Sequence, residues 1–439
     1  MTETTTGFVG LGALFLLMGI RVPIGLAMLL VGFLGSASIL GLNGILNMLN
    51  TAPYEEFSSY SFSIIPLFLL MGQFASNAGL STALYNAAGS WLGHRRGGLA
   101  ASTIGACAGF GAVCGSSLAT AATMAQVALP EMRKAGYDRG FATGTLAAGG
   151  TLGILIPPSV VLVIYAVLTS QNIAKLFAAA LLPGLLAVFT YIVAASLYAR
   201  RYPEAAPLAP RASRHQRLRS IIDVWPVVLI FVVVIGGIYA GIFTPTEAAA
   251  VGAIATGALA LARKGLGWKE FKHSVYNTAT GTGMIFFIIL GAAVFNGFLA
   301  LTQLPQDGAA WIVQLSVSPW LILVVILLCY LILGCFMDTL SMILLTIPIF
   351  FPIVTALDFG LPPDEVALWF GILALMVVEV GMITPPLGLN LFVINSMARD
   401  VPMIETIRGV FPFLAADLVR ISILITFPGI SLFLVRLFY

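Results

Sequence analysis

Charge is scarce in this chain of 439 residues. Asp, Glu, Lys and Arg together make up 9% of it, against about 25% in a soluble domain. With 59% hydrophobic residues, a water-soluble fold could not cover its own surface with polar groups, which excludes a soluble enzyme or binding module. Histidine occurs three times, at His94, His215 and His273, and cysteine four times, at Cys107, Cys114, Cys329 and Cys335. No CxxC or Cys/His spacing joins them, so neither a zinc site nor a disulfide framework is expected. Polar–apolar alternation is missing, and with it a transmembrane β-barrel. Outside the apolar segments there is no phosphate-binding glycine loop, nucleophile motif or dinucleotide fingerprint. No enzymatic activity, no organic cofactor and no nucleic-acid partner is therefore expected. The start, MTETTTGFVGLGALF, lacks the basic run of a cleavable signal peptide, so the first apolar run is expected to stay as a membrane helix.

What the chain has instead is long apolar runs. About 20 apolar residues span the hydrocarbon core of a bilayer. Stretches of that kind recur near 7–20, 22–41, 61–82, 98–130, 141–168, 176–199, 222–243, 246–262, 274–302, 321–355, 366–398 and 412–438. The expected fold is an all-α polytopic membrane protein in a lipid bilayer, each helix satisfying its own backbone. Basic residues concentrate at 200–221, which holds Arg200, Arg201, Arg211, Arg214, Arg217 and Arg219 together with Pro203, Pro207 and Pro210. Positive charge marks the cytoplasmic side. This stretch reads as a basic cytoplasmic linker between two halves, 1–199 and 222–439.

The halves resemble each other. A shift of 219 places Phe68, Gly72, Gly115 and Thr120 on Phe287, Gly291, Gly334 and Thr339, and a shift of 228 places 153–158 on 381–386. Internal repeats of this kind are typical of secondary transporters. Charge then sets their relative orientation. The stretch 98–130 lies between His94-Arg95-Arg96 and Arg133, Lys134 and Arg139, so both flanks read as cytoplasmic. The stretch 321–355 lies between 303–320, which has Asp307 and no base, and Asp358, Asp364 and Glu365, so both flanks read as external. A segment whose ends share a side has not crossed. Each stretch is expected to be a re-entrant hairpin, turning near Cys114–Leu118 and near Cys335–Asp338. One enters from each side, which makes the halves inverted repeats with about ten crossings plus two hairpins. The first repeat would hold scaffold helices 1–60 with an arm at 42–60, hairpin 98–130 and broken helix 141–168. The second would hold scaffold helices and an arm within 222–273 (the arm at 264–273), hairpin 321–355 and broken helix 366–398.

A turn inside the membrane exposes backbone groups that lipid cannot satisfy, so it survives only against protein or a wet cavity. Gly115-Ser116-Ser117-Leu118-Ala119-Thr120 and Gly334-Cys335-Phe336-Met337-Asp338-Thr339 are two such breaks. The Pro-Pro pairs 157/158 and 385/386 are two more, because proline removes a donor and clashes with the preceding turn. Breaks that face each other offer carbonyls and hydroxyls to a cation and half-helix N-termini to an anion. Ser116, Ser117 and Thr120 could simply be small residues permitting close packing; beside the repeat and the Gly–Pro-Pro break, cation ligation is the reading carried forward. Thr339 lies at the second turn, and Thr384 and Asn390 flank the second proline pair, with helix-packing contacts as their plain alternative. A mid-membrane carboxylate costs about 2.5–3.5 kcal/mol to insert, and Asp338 has no basic neighbour in sequence, so it is the sharpest cation-ligand candidate. Glu379 ranks second to it. Backbone carbonyls around Gly153–Pro157 and Gly381–Pro385 would complete two sodium sites. Ser116, Thr384 and Asn390 would also face a substrate. Asp417 and Arg420, one helical turn apart, are expected to pair structurally.

Gly241-Ile242-Phe243-Thr244-Pro245-Thr246-Glu247-Ala248-Ala249-Ala250-Val251-Gly252, the Gly115-Ser116-Ser117 turn, Gly153 through Pro158 and Gly381 through Asn390 together carry a resemblance that covers essentially the whole chain. It resembles the large membrane (M) subunit of TRAP (tripartite ATP-independent periplasmic) transporters. The resemblance implies a multi-pass protein of the bacterial inner membrane that imports a carboxylate solute, typically a C4-dicarboxylate, sialic acid or keto acid, by symport with sodium ions. It further implies a periplasmic substrate-binding (P) protein that delivers the solute, a small four-helix membrane (Q) subunit, and an elevator-type fold in which a domain bearing both hairpins moves against a scaffold. Two other classes are open to the residues alone: a single-subunit sodium–dicarboxylate or citrate carrier of the same broad fold, and a membrane-embedded enzyme.

Overall fold

The computed structural model describes residues 3–314 and 317–439, and every regular element among them is a helix. Residues 1–2, at the start of the first half, and 315–316, inside the external flank 303–320, lie outside the described residues. Helices α1 (Glu3–Gly19) and α2 (Ile24–Phe57) lead to α3 (Ile64–Asn77) and α4 (Leu80–Leu92). A helical hairpin follows, α5 (Gly98–Cys114) and α6 (Ser117–Lys134), then a broken helix, α7 (Arg139–Leu155) and α8 (Val160–Leu168), and the long α9 (Ile173–Arg201). The second half opens with α10 (Arg214–Phe231), which passes through a π-turn into the short α11 (Gly237–Tyr239), and continues with α12 (Pro245–Ala262), α13 (Trp268–Leu301) and α14 (Leu304–Gln314). A second hairpin is formed by α15 (Pro319–Gly334) and α16 (Thr339–Thr355), a second broken helix by α17 (Pro363–Gly381) and α18 (Leu389–Met397), and the chain closes with α19 (Met403–Thr426) and α20 (Gly429–Phe438).

Six of these helical units are long and apolar enough to cross a membrane, and the bent pairs α3–α4 and α7–α8 raise the number to eight. Helices α2 and α13, of 34 residues each, would reach about 51 Å at 1.5 Å per residue, well beyond the ~30 Å of hydrocarbon. In α2 the excess is split off at Gly41, whose φ of 73° and ψ of 170° interrupt the helix ahead of residues 42–57, in the place expected for an arm. Residues 268–273, within the stretch expected as an arm at 264–273, are the first turns of α13 and run on into it without a break. Helices reach into both ends of the stretch expected as a linker at 200–221, α9 running to Arg201 and α10 starting at Arg214. Ser213 accepts from Gln216 N at 3.2 Å while Gln216 Oε1 accepts from Ser213 N at 2.8 Å, and this reciprocal cap starts α10 at Arg214. The single run expected at 412–438 is broken at Phe427–Pro428.

Burial divides the helices into two kinds. Every residue from Gly140 to Leu155 of α7 and from Val366 to Gly381 of α17 is buried, so the first arms of the two broken helices form the centre of the molecule. Helices α2, α10 and α13 instead turn large apolar side chains such as Leu34, Trp225 and Phe287 outward, a surface that lipid solvates directly. Polar side chains mark the helix starts. Asp138 Oδ1 accepts from Phe141 N at 2.8 Å to begin α7, and Asn172 caps α9 through Ala174 N and Lys175 N. Within Gly241–Gly252, Thr244 Oγ1 accepts from Glu247 N at 3.3 Å, and Glu247 Oε2 accepts from Thr244 N and Thr244 Oγ1, each at 2.8 Å. With Pro245 in the first turn this is a capping box, so that segment is built to start α12.

Candidate functional site

The two hairpin tips meet. At the first, α5 ends on left-handed Gly115 (φ 65°) and α6 begins with Ser116 as its cap, Ser116 Oγ accepting from Ala119 N at 3.4 Å. The second tip, 335–338, has four residues where the first has two. There Asp338 caps α16, with Oδ2 accepting from Ser341 N at 3.1 Å and Oδ1 from Ser341 Oγ at 2.5 Å. Ser116, Ser117, Asp338 and Thr339 line one cavity of about 190 Å³, together with Val160 and Val161 from the start of α8. Its far wall is Leu69 of α3 and Gly281, Met284 and Ile285 of α13. The N-termini of α6, α8 and α16 all border this space, and each brings roughly half a positive charge. Among the described residues, its only charged lining side chain is the carboxylate of Asp338. Hydroxyls and a carboxylate suit a hard cation, while helix N-termini suit an anion.

Between the tips, and buried completely, lies Glu379 of α17. Its Oε1 accepts from Ser117 Oγ at 3.0 Å and from Thr339 Oγ1 at 2.6 Å, the first helical residues of α6 and α16. The fixed shift of 219 matched Thr339 with Thr120; here Thr339 acts as the counterpart of Ser117, because the second tip is two residues longer.

The other candidate residues surround the cavity without lining it. Thr120 is buried one turn along α6 and packs on Gly153. A Cβ on Gly153 would stand 2.7 Å from the Ser116 carbonyl oxygen and 2.5 Å from Thr120 Oγ1, so only glycine lets α7 lie against the first tip. Gly381 does the same for the second hairpin, where an added Cβ would fall 2.6 Å from Gly334 Cα. Pro157 and Pro385 each open a cis Pro-Pro bond in the break that follows. The carbonyl of Pro385 accepts from Cys335 Sγ at 3.7 Å, and Gly388 N donates to Cys335 O at 3.2 Å, docking the second tip on its break. Thr384 returns its hydroxyl to Val380 O at 2.6 Å. Asn390 is buried, donating from Nδ2 to Ala147 O at 3.3 Å. Of the three residues expected to face substrate, Ser116 alone lines the cavity. The cavity residues on α3 and α13 were not anticipated, although the matched pairs Phe68/Phe287 and Gly72/Gly291 flank them. Asp417 and Arg420 do pair, their charged atoms 2.7 Å apart at full burial. Tyr191 Oη adds a bond to Asp417 Oδ2 at 2.9 Å.

Comparison with known proteins gives the arrangement a setting. A family model described as the tripartite ATP-independent periplasmic transporter, DctM component, matches residues 11–430. The C4-dicarboxylate TRAP transporter large permease protein DctM of Pseudomonas aeruginosa is 39% identical over 404 residues, covering 90% of this chain and 92% of that one. The sialic acid TRAP transporter large permease protein SiaM of Vibrio cholerae is 33% identical over 381 residues, 87% of each chain. Among solved structures, the YdaH transporter of Alcanivorax borkumensis, described as having an unusual topology, superposes with a TM-score of 0.66 over 88% of this chain and 89% of that chain at 16% identity, a likeness of fold.

Proposed function

The chain belongs to the tripartite ATP-independent periplasmic transporter family as a DctM component, a multi-pass inner-membrane transporter subunit, and we propose that it drives import of a small carboxylate solute by sodium symport. The observation that carries this reading is the shared cavity: two hairpin tips, three helix N-termini and the Asp338 carboxylate at one place. The N-termini of α6, α8 and α16 would hold the solute's carboxylates. Two sodium ions would sit beside them. Ser116, Ser117 and Thr120 would serve the first with carbonyls of Gly153–Pro157, and Asp338, Thr339 and Thr384 the second with carbonyls of Gly381–Pro385, Asn390 closing the gap between halves. A cavity of about 190 Å³ lies below the ~300 Å³ at which most small-molecule pockets begin, and favours a compact dicarboxylate over a bulky sugar acid.

The rest of the machine follows from the same reading. The hairpins and broken helices would form the moving body of an elevator, and the long α2 and α13 its scaffold. A periplasmic substrate-binding protein would deliver the solute, and a small membrane subunit would complete the scaffold. The test is uptake in proteoliposomes under an inward sodium gradient. The chain alone is expected to move little solute, and adding the small subunit and a loaded binding protein should start uptake. Strong transport by the isolated chain would instead place it among self-sufficient carriers. Topology is tested separately, by single cysteines at Arg95, Lys134, Asp307 and Asp364 in a background without the native four. The first pair should label only from the cytoplasm and the second only from the periplasm. Labelling of Arg95→Cys and Lys134→Cys from opposite sides would rule out the re-entrant first hairpin and the inverted repeat with it.

A further inference from the structure

We propose that Glu379 is a positioning residue that clasps the two hairpin tips so that they open and close as one unit. Three charged side chains are buried among the described residues, Glu379, Asp417 and Arg420. The last two neutralise each other on α19. Among the described residues Glu379 has no basic partner within ion-pair distance, and its place is explained by what it holds. One carboxylate oxygen, Oε1, takes the hydroxyls of Ser117 and Thr339, residues that lie 262 and 40 positions away in sequence. A carboxyl oxygen has two lone pairs and can accept both bonds. These two leave from the first helical residue of each tip, Ser117 of α6 and Thr339 of α16. The second oxygen, Oε2, makes no hydrogen bond among the described residues, so the clasp resides in a single atom. Neither hydroxyl can withdraw without breaking its bond to the same oxygen that holds the other tip.

The clasp also borders the cavity, since Ser117 and Thr339 are both on its wall. Resting on the transporter reading, this gives Glu379 a role in coupling: a ligand that draws in one tip draws in the other through Oε1. Occupancy of either half of the site is then felt by both.

Hydrogen–deuterium exchange on the purified chain in sodium-free buffer tests the clasp without reference to transport. Residues 115–121 and 335–342 are the reporting segments. Glu379→Leu fills the same space but offers no acceptor, and should speed exchange about tenfold at both tips together. Glu379→Gln keeps an oxygen at Oε1 and should stay near wild type. Ser117→Ala should free the first tip alone, and Thr339→Val the second alone. If Glu379→Leu leaves both tips at wild-type rates, or frees one only, Glu379 is a space-filling residue and the clasp is overturned. Should Glu379→Leu fail to fold, the two hydroxyl variants still decide: unchanged exchange at their own tips refutes the bonds that define the clasp. In the reconstituted complex, Glu379→Leu should reduce the steepness of the sodium dependence of uptake, with Glu379→Gln retaining it. Unaltered steepness in Glu379→Leu would refute the coupling role even where the exchange results stand.

Discussion

Removing the carboxylate of Asp417 should destabilise the protein more than removing the whole ion pair. Asp417 and Arg420 are both fully buried, 2.7 Å apart, and the contact is one of charge, since their atoms are not aligned for a hydrogen bond. The Arg420 guanidinium also lies 5.3 Å from the centre of the Tyr191 ring, and Tyr191 bonds the far oxygen of Asp417 at 2.9 Å. Asp417→Asn leaves the guanidinium buried without a counter-charge, and breaking a buried pair in this way costs about 3–5 kcal/mol. Tyr191→Phe loses one bond to a charged acceptor, about 1.5–3 kcal/mol. In Asp417→Leu/Arg420→Met no charge is stranded, and replacement of both partners by apolar groups is often neutral or stabilising by about 1–4 kcal/mol. Thermal unfolding of each purified variant in detergent, followed by intrinsic tryptophan fluorescence, should therefore rank wild type and the double variant together, with Tyr191→Phe below and Asp417→Asn lowest. Sodium dependence of transport should be unchanged in any variant that folds. A double variant as unstable as the sum of its single changes would show that the pair earns its place by specific contacts, and would refute the reasoning.

Three further outcomes are expected. Asp338→Asn keeps the cap on α16 but removes a carboxylate from the cavity wall, so the sodium concentration for half-maximal uptake should rise, with Ser117→Ala raising it less; unchanged sodium dependence in Asp338→Asn would exclude Asp338 as a ligand. Gly153→Ala drives a methyl to within 2.7 Å of the Ser116 carbonyl, where overpacking costs about 1–3 kcal/mol, and should lower both the melting midpoint and uptake, while Gly283→Ala, with open space around it, should change neither. At the surface, Arg133 bonds Asp400 Oδ1 at 2.6 Å and holds its carboxyl below the usual range; a depressed carboxylate stabilises the fold above its ordinary value and loses that contribution as pH falls through the lowered one. The acid limb of the melting curve below about pH 4 should therefore flatten slightly in Asp400→Asn, by the small amount that an exposed pair contributes.

How much of this was legible in the residues depended on whether the signal was local. The all-helical membrane fold follows from hydropathy, and the interruptions of helix at 115–116, 156–159, 335–338 and 382–388 follow from Gly, Ser and Pro-Pro, because backbone geometry is decided by neighbours in sequence. Helix α4 was missed for the same reason: Ser81, Thr82, Asn86 and Ser90 dilute its hydropathy, and its burial against α5 and α10 is a tertiary fact. The Gly241–Gly252 segment stood out as family-specific, and its visible chemistry is a capping box.

The ranking of the two acids shows where sequence reasoning stops. Asp338 and Glu379 look alike on paper, both being carboxylates without a nearby base. Asp338 proves to have a local occupation, bonding Ser341 three residues ahead to start α16, and keeps its access to the cavity. Glu379 has no local hydrogen bond, and its partners come from two hairpins. A hydroxyl 262 positions away leaves no trace in the sequence around Glu379, so the acid that joins the halves was placed second to the one that caps a helix. The fixed-shift match of Thr339 with Thr120 failed similarly, since two extra residues in the second tip shift which hydroxyl comes first in the helix. In a repeat protein the contacts that tie the two copies together are the ones the repeat itself does not encode. They need a residue that serves both copies at once, and a single carboxylate oxygen with room for two donors meets that need without a matching partner in the other half.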